Sequence, residues 1–141
     1  MKKILATLIT ALSLMMLLPL ANADVIDLFY GNTTGSGAVK DVSPNEFRTW
    51  TCDVSVSDTT ASAVEVRIDG NQCTAAKCGA SALSKFSPTP MALYSMNAAE
   101  LVAGIGSFVI IDIPVQRIRA SLVTLTGGTN PYVTVRCTGV K

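Results

Sequence analysis

The stretch Arg48-Thr49-Trp50-Thr51-Cys52-Asp53-Val54-Ser55-Val56 puts Trp50, Cys52, Val54 and Val56 on one side of an extended chain and Thr51, Asp53 and Ser55 on the other. Side chains of a strand point alternately to opposite faces, so this segment reads as a strand with one buried face. Ala63 to Asp69 repeats the pattern, with Val64, Val66 and Ile68 inward and Glu65, Arg67 and Asp69 outward. Asp58-Thr59-Thr60 between them has turn composition, and the two strands are expected to form a hairpin.

Working outward, Gln116 to Leu125 and Tyr132 to Thr138 flank the turn-like Thr126-Gly127-Gly128-Thr129-Asn130-Pro131 and predict a second hairpin. Pairing Leu125 with Tyr132 would set Leu122 against Val135 and Ala120 against Cys137 on the inner face. Arg119, Ser121, Thr134 and Arg136 would then face outward. Further strands are expected at Val25 to Tyr30, Ala38 to Val42, Met91 to Met96 and Ser107 to Ile113, the last ended by Pro114. A single short helix is predicted over Asn97 to Ala103, where Asn97 and Glu100 make a capping-box pattern and Gly104 closes the turn. Seven or eight short strands with little helix define an all-β, antiparallel β-sandwich or jelly-roll-like domain. Trp50 precedes the first cysteine by two residues, an order that argues against a true immunoglobulin domain.

The 141 residues are 49% hydrophobic and 15% charged, with no histidine. Without imidazole there is no Ser-His-Asp or Cys-His pair and no His-ligated metal, which closes the commonest routes to catalysis. Eleven basic against ten acidic side chains argue against a nucleic-acid partner held by bulk electrostatics. The chain opens with Met1-Lys2-Lys3, an uncharged run from Ile4 to Leu20, and Ala21-Asn22-Ala23 before Asp24. This is the pattern of a secretory signal peptide over 1–23, cleaved after Ala23; the competing reading is an uncleaved anchor. Cleavage would take 23 residues from 141 and leave 118, a single sandwich domain over 24–141 with nine basic and ten acidic side chains. No second apolar run long enough to span a bilayer follows, so no integral membrane segment is expected after cleavage. An exported, periplasmic, extracellular or particle-associated location follows from the leader.

Cys52, Cys73, Cys78 and Cys137 all follow the leader, and four cysteines in an oxidising compartment imply two disulfides with three connectivities. Cys73 and Cys78 enclose only four residues and suit a local staple, which leaves Cys52 with Cys137. Both of the latter are inward on their strands. The longer link requires Cα atoms within about 7 Å. Zinc is disfavoured because Cys52 and Cys137 lack knuckle spacing. Neither a metal nor a cofactor is called for.

Other motifs resolve to turns and faces. Gly31-Asn32-Thr33-Thr34-Gly35-Ser36-Gly37 lacks the Gly-Lys-Ser/Thr of a phosphate loop and reads as a hairpin loop; Asn32-Thr33-Thr34 matches a glycosylation acceptor only in a eukaryotic secretory pathway. Asp69-Gly70-Asn71 reads as a turn after a strand, short of the oxygens calcium needs. Glu65 and Asp69 lie roughly 13 Å apart by strand rise, too far for a glycosidase pair, which needs about 5 to 9.5 Å. Arg117, Arg119 and Arg136 are expected to form an outward basic stripe on the C-terminal hairpin, suited to an acidic protein or anionic glycan; the plain alternative is a solvated face balanced by Glu65 and Asp112. The irregular stretch Asn71 to Pro90, carrying Lys77, Lys85 and Phe86, is the other candidate contact surface. A stacking platform for a sugar would have to rest on Tyr30, Tyr94, Tyr132 or Phe86.

Three stretches, Ala63-Val-Glu-Val-Arg-Ile-Asp-Gly70, Ile113-Pro-Val-Gln-Arg-Ile-Arg-Ala120 and Thr126-Gly-Gly-Thr-Asn-Pro-Tyr-Val-Thr-Val135, resemble the small β-sandwich virion proteins of tailed bacteriophages. There a strand ends in an Asp-Gly turn, and a late Ile-Arg-Ala strand leads through a Gly/Thr-rich turn into an alternating final strand. The resemblance implies a self-assembling or decorating structural protein. An export leader and a disulfide framework depart from that pattern, since virion proteins ordinarily assemble in the cytoplasm. Together these readings predict a non-enzymatic, exported structural or interaction subunit with a protein partner or a second copy, binding through loops or sheet edges. The alternative is a secreted monomeric module that binds a glycan or a protein.

Overall fold

A computed structural model describes residues 23–42, 47–71 and 89–140. The strands are β1 (Ala23–Gly31), β2 (Gly35–Ser36), β3 (Lys40–Asp41), β4 (Thr49–Val56), β5 (Ala61–Asn71), β6 (Thr89–Ser95), β7 (Ile105–Ile110), β8 (Arg117–Gly127) and β9 (Val133–Val140). Among the described residues one helix, α1 (Ala98–Ala103), lies between β6 and β7. The strands form two antiparallel sheets, β1-β9-β4-β7 and β2-β8-β5-β6, with β3 also on β8. Since β2 and β3 are two short pieces along one neighbour, the order is that of an eight-strand jelly roll, the all-β sandwich expected from the alternation.

The inner faces are those the alternation assigns. Trp50, Cys52, Val54 and Val56 from β4 meet Val64, Val66 and Ile68 from β5, joined by Ile118, Ala120 and Leu122 from β8 and Val133, Val135 and Cys137 from β9. Trp50 is fully buried and packs edge-on against Phe47, with ring centroids 5.2 Å apart. Gly139 is required beside that pair, because a Cβ there would come within 2.6 Å of the Phe47 ring. Cys52 lies directly opposite Cys137 in the β4–β9 ladder and the two form a disulfide, with Cα atoms 4.0 Å apart. The predicted pairing is present, as a link between neighbouring strands of one sheet.

Strand partners differ from the expectation. β4 and β5 are not a hairpin: β4 pairs with β9 and β7, while β5 pairs with β8 and β6 in the opposite sheet. Nor are β8 and β9 a hairpin, so the Leu125–Tyr132, Leu122–Val135 and Ala120–Cys137 registers do not occur; Val135 faces Val54 and Cys137 faces Cys52. The Gly31–Gly37 segment is likewise a crossover from β1 in one sheet to β2 in the other. Among the described full-length strands, β5 and β6 are the consecutive pair that hydrogen-bond directly. The turn chemistry of residues 58–60 and 126–131 is real, but a tight turn serves an arch between two sheets as well as a hairpin within one.

Asp69-Gly70-Asn71 is also corrected, since it continues β5 and is not a turn. Gly70 is needed there because a Cβ would overlap the Met91 sulfur and Val115. The helix forms as predicted: Asn97 Oδ1 accepts from the Ala99 and Glu100 N–H groups, Glu100 Oε2 accepts from the Asn97 N–H, and Gly104 ends it with φ +72°. The leader and its cleavage site, apart from Ala23 itself, lie outside the described residues, as do Cys73, Cys78, Lys77, Lys85 and Phe86.

Candidate functional site

The expected basic stripe is split between the two outer faces, because β8 and β9 belong to different sheets. On the β8 sheet, Asp69 is fully buried and not outward in solvent as predicted. Arg67 donates to both of its oxygens, Nε to Oδ1 at 2.9 Å and Nη2 to Oδ2 at 3.2 Å. Arg119, which faces Asp69 across the β5–β8 ladder, donates Nε and Nη2 to Oδ2 at 3.3 Å each. A carboxylate held by two guanidinium groups is a fully partnered structural cluster, so Arg119 is occupied in the fold. Arg117 sits two residues along, opposite Asp41 and Asn71 in the register.

On the other sheet, register rows are continuous across four strands. One runs Asp27, Arg136, Asp53, Ser107, and the next Tyr30, Thr134, Ser55, Ile105. Arg136 Nε donates to Asp27 Oδ1 at 2.7 Å, and this bond, the charge of Asp27 and, more weakly, that of Asp53 push its pKa further up. A β-bulge at Leu28 puts Asp27 and Tyr30 on the same outer face although they are three residues apart. Without the extra residue, Phe29 would point outward and Tyr30 into the core.

That bulge aims Tyr30 at the end of the sandwich where the crossovers 32–34, 57–60 and 128–132 meet. Tyr30 and Tyr132 stack with centroids 5.4 Å apart and planes 25° from parallel, yet Tyr30 stays 74% exposed. Tyr132 is fixed from below: its N–H donates to Ser57 Oγ at 2.9 Å and its carbonyl accepts from the Ser57 N–H at 2.9 Å. Asn32 Nδ2 donates to Asn130 Oδ1 at 3.3 Å, tying the first crossover to the last. Asp58 organises the group, accepting on Oδ1 from the Thr60 N–H and hydroxyl and on Oδ2 from the Thr129 N–H at 2.7 Å. The Thr60 hydroxyl first, then the backbone N–H groups, hold the Asp58 carboxyl down at about 2. Gly127 and Gly128, both at φ +76°, allow the turn that brings Thr129 there.

Beside Tyr30 a groove of about 310 Å³ runs between the β1 edge and the β2–β3 segment, lined by Asp27, Phe29, Tyr30, Ser36, Gly37 and Lys40 among others. Gly37 closes its floor: its N–H donates to the Ala120 carbonyl at 2.8 Å, and a Cβ would collide with the Leu28 carbonyl oxygen. The sequence marked Tyr30 and Tyr132 as candidate aromatics. The bulge, Ser57, Asp58 and the Asn32–Asn130 link carry no signature beyond turn composition.

At the opposite edge, β7 exposes Ile105 and Val109, but its edge is partly capped. The Tyr94 hydroxyl donates to Glu100 Oε1 at 2.5 Å and accepts from the Ser107 N–H. Desolvation, then Glu100, pushes the Tyr94 phenol up to about 12. Among the described residues no three His, Cys, Asp or Glu side chains gather as a metal site, and no described helix is long and apolar enough to cross a membrane.

The fold and its loop end define a jelly-roll sandwich with a stapled core and a hydrogen-bonded cluster of crossovers at one end. Among solved structures the chain is similar to the SPBc2 prophage-derived protein YomS, at 12% identity and a TM-score of 0.54, over 89% of this chain and 98% of that one. It is also similar to the PBSX exported protein XepA, at 12% identity and a TM-score of 0.53, over 88% of this chain and 39% of that longer one. At such identity the likeness shows a shared fold. No family model and no curated protein matches the chain.

Proposed function

We propose that this chain is an exported, non-enzymatic structural or interaction subunit of phage-like type. The observation that carries the reading is the likeness to the prophage-derived YomS, which takes in 98% of that chain, so the whole domain corresponds to the whole of a phage-encoded unit. XepA, named as an exported protein of PBSX, supports export of the same sandwich, and the Lys2-Lys3 leader ending at Ala23 supports it for this chain. A partner, either protein or a second copy, would be met through strand edges such as β6 or through the loop end.

The test is the mass in solution of the oxidised protein recovered after export, by size-exclusion chromatography with light scattering. A defined oligomer or filament is the expected result, and a clean monomer across the accessible concentration range overturns self-assembly. A second reading, a monomeric binding module, is favoured by one observation, the exposed Tyr30 held on Tyr132.

A further inference from the structure

The most exposed aromatic ring in the described fold is also among the best anchored. Tyr30 is 74% exposed, so most of its ring is open to a ligand. Four devices position it: the bulge at Leu28 turns it outward, Tyr132 backs one face of the ring, Ser57 fixes Tyr132 from both sides, and Asn32–Asn130 locks the adjoining loops. A ring backed on one face and rigid before binding loses little entropy when a ligand stacks on it. The charged groups around it balance: Arg136 faces both Asp27 and Asp53 across the outer rows, and Lys40 lines the adjacent groove with Asp27 and with Ser36, whose hydroxyl is bonded to that of Ser121.

Size and charge narrow the ligand class. A groove of about 310 Å³ lies at the small end of ligand sites, which span roughly 300 to 1,000 Å³, and suits one ring-sized group and not a protein surface. One carboxylate and one ammonium beside it favour neither an anion nor a cation. A neutral ligand with an apolar face for Tyr30 and a rim of hydroxyls for Asp27, Ser36 and Lys40 is a pyranose. We infer that Tyr30, backed by Tyr132, and the groove formed by Asp27, Ser36 and Lys40 make a subsite for a neutral sugar residue of a glycan. The site is built from one chain and is the same whether the protein is a monomer or an assembled subunit.

The experiment is a titration of the full exported protein, followed by tyrosine-ring and backbone NMR shifts, with cellohexaose, chitohexaose and maltohexaose in turn. The expected result is saturable shifts at Tyr30, Tyr132 and Lys40 with at least one of the three, at a dissociation constant in about the millimolar range or tighter. Tyr30→Ala should weaken that binding roughly threefold to tenfold, the worth of one aromatic stack, while Tyr30→Phe keeps it within about twofold. Leu93→Ala, which trims another exposed side chain on the opposite sheet, should leave it unchanged. Absence of saturable shifts with all three up to about 10 mM overturns the proposal, as does binding that Tyr30→Ala leaves intact while its spectrum shows the native fold. Oligomeric state is read separately by light scattering, so failure here and failure of the subunit reading are told apart.

Discussion

Replacing both partners of the Cys52–Cys137 link, as Cys52→Ala/Cys137→Ala, tests how the sandwich is held together. The two residues are 85 apart in sequence, so the link closes a loop of about 86 residues in the unfolded chain, and the chain-entropy relation gives about 4.6 kcal/mol at 25 °C. Both sulfurs are fully buried between the sheets, and losing their packing adds about 1 to 2 kcal/mol. With a urea dependence of about 1 to 3 kcal/mol per molar for a domain of this size, the unfolding midpoint should fall by roughly 2 to 7 M. The assay is reversible urea unfolding of parent and double variant, followed by Trp50 fluorescence, since Trp50 is the one tryptophan and lies in the core beside the link. A domain stable by about 5 to 15 kcal/mol leaves the variant folded or close to its threshold, and a variant already unfolded in buffer agrees with the upper end of the loss. A midpoint within about 0.5 M of the parent would rule the link out as a main anchor of the sandwich, because it would mean that the unfolded chain gains almost no freedom when the link goes. Peptide mapping without reduction gives a second check: a Cys52 peptide joined to any cysteine but Cys137 refutes the pairing directly.

Two further outcomes follow from the charged groups. Asp58 titrates at about 2 in the fold against an ordinary 3.8, so its contribution to the loop end is fully present above about 4 and is lost as pH falls through about 2; amide shifts of Thr60 and Thr129 should titrate with a midpoint near 2, and a midpoint near 4 would show that the carboxylate does not hold these loops. Asp69→Asn keeps the size of the buried side chain but removes the charge that Arg67 and Arg119 share; with those guanidinium groups 41% and 20% exposed and able to turn to water, the expected loss is about 2 to 3 kcal/mol by urea unfolding, and a loss under about 0.5 kcal/mol would rule the cluster out as an anchor.

Much of the architecture is legible in short-range pattern. Alternation places Trp50, Cys52, Val54 and Val56 inward, Asn97 and Glu100 announce the helix, and the spacing of four cysteines points to Cys52 with Cys137. The first two succeed because each depends on neighbours in the chain: the pleat has period two and a capping box spans three residues. The candidate site is legible only as a set of loose tyrosines. Nothing near Tyr30 in sequence shows that Tyr132, about a hundred residues later, backs its ring, or that Leu28 is the extra residue that turns it outward.

Local pattern was enough to give the apolar faces of β4 and of most of β5, the all-β sandwich, and the inward placement of Cys52 and Cys137. Only the tertiary structure decided which strand lies beside which. Residues 58–60 and 126–131 have turn chemistry that fits a hairpin and an arch equally, and the choice rests on burying two apolar faces against each other, a contact between distant segments. Asp69 shows the same division: alternation puts it outward, and the arrival of Arg119 from β8, fifty residues on, lets that carboxylate stay buried. The loop end follows from it too, since crossing between sheets at 32–34, 57–60 and 128–132 is what gathers Asp58, Tyr132 and Tyr30 into one place.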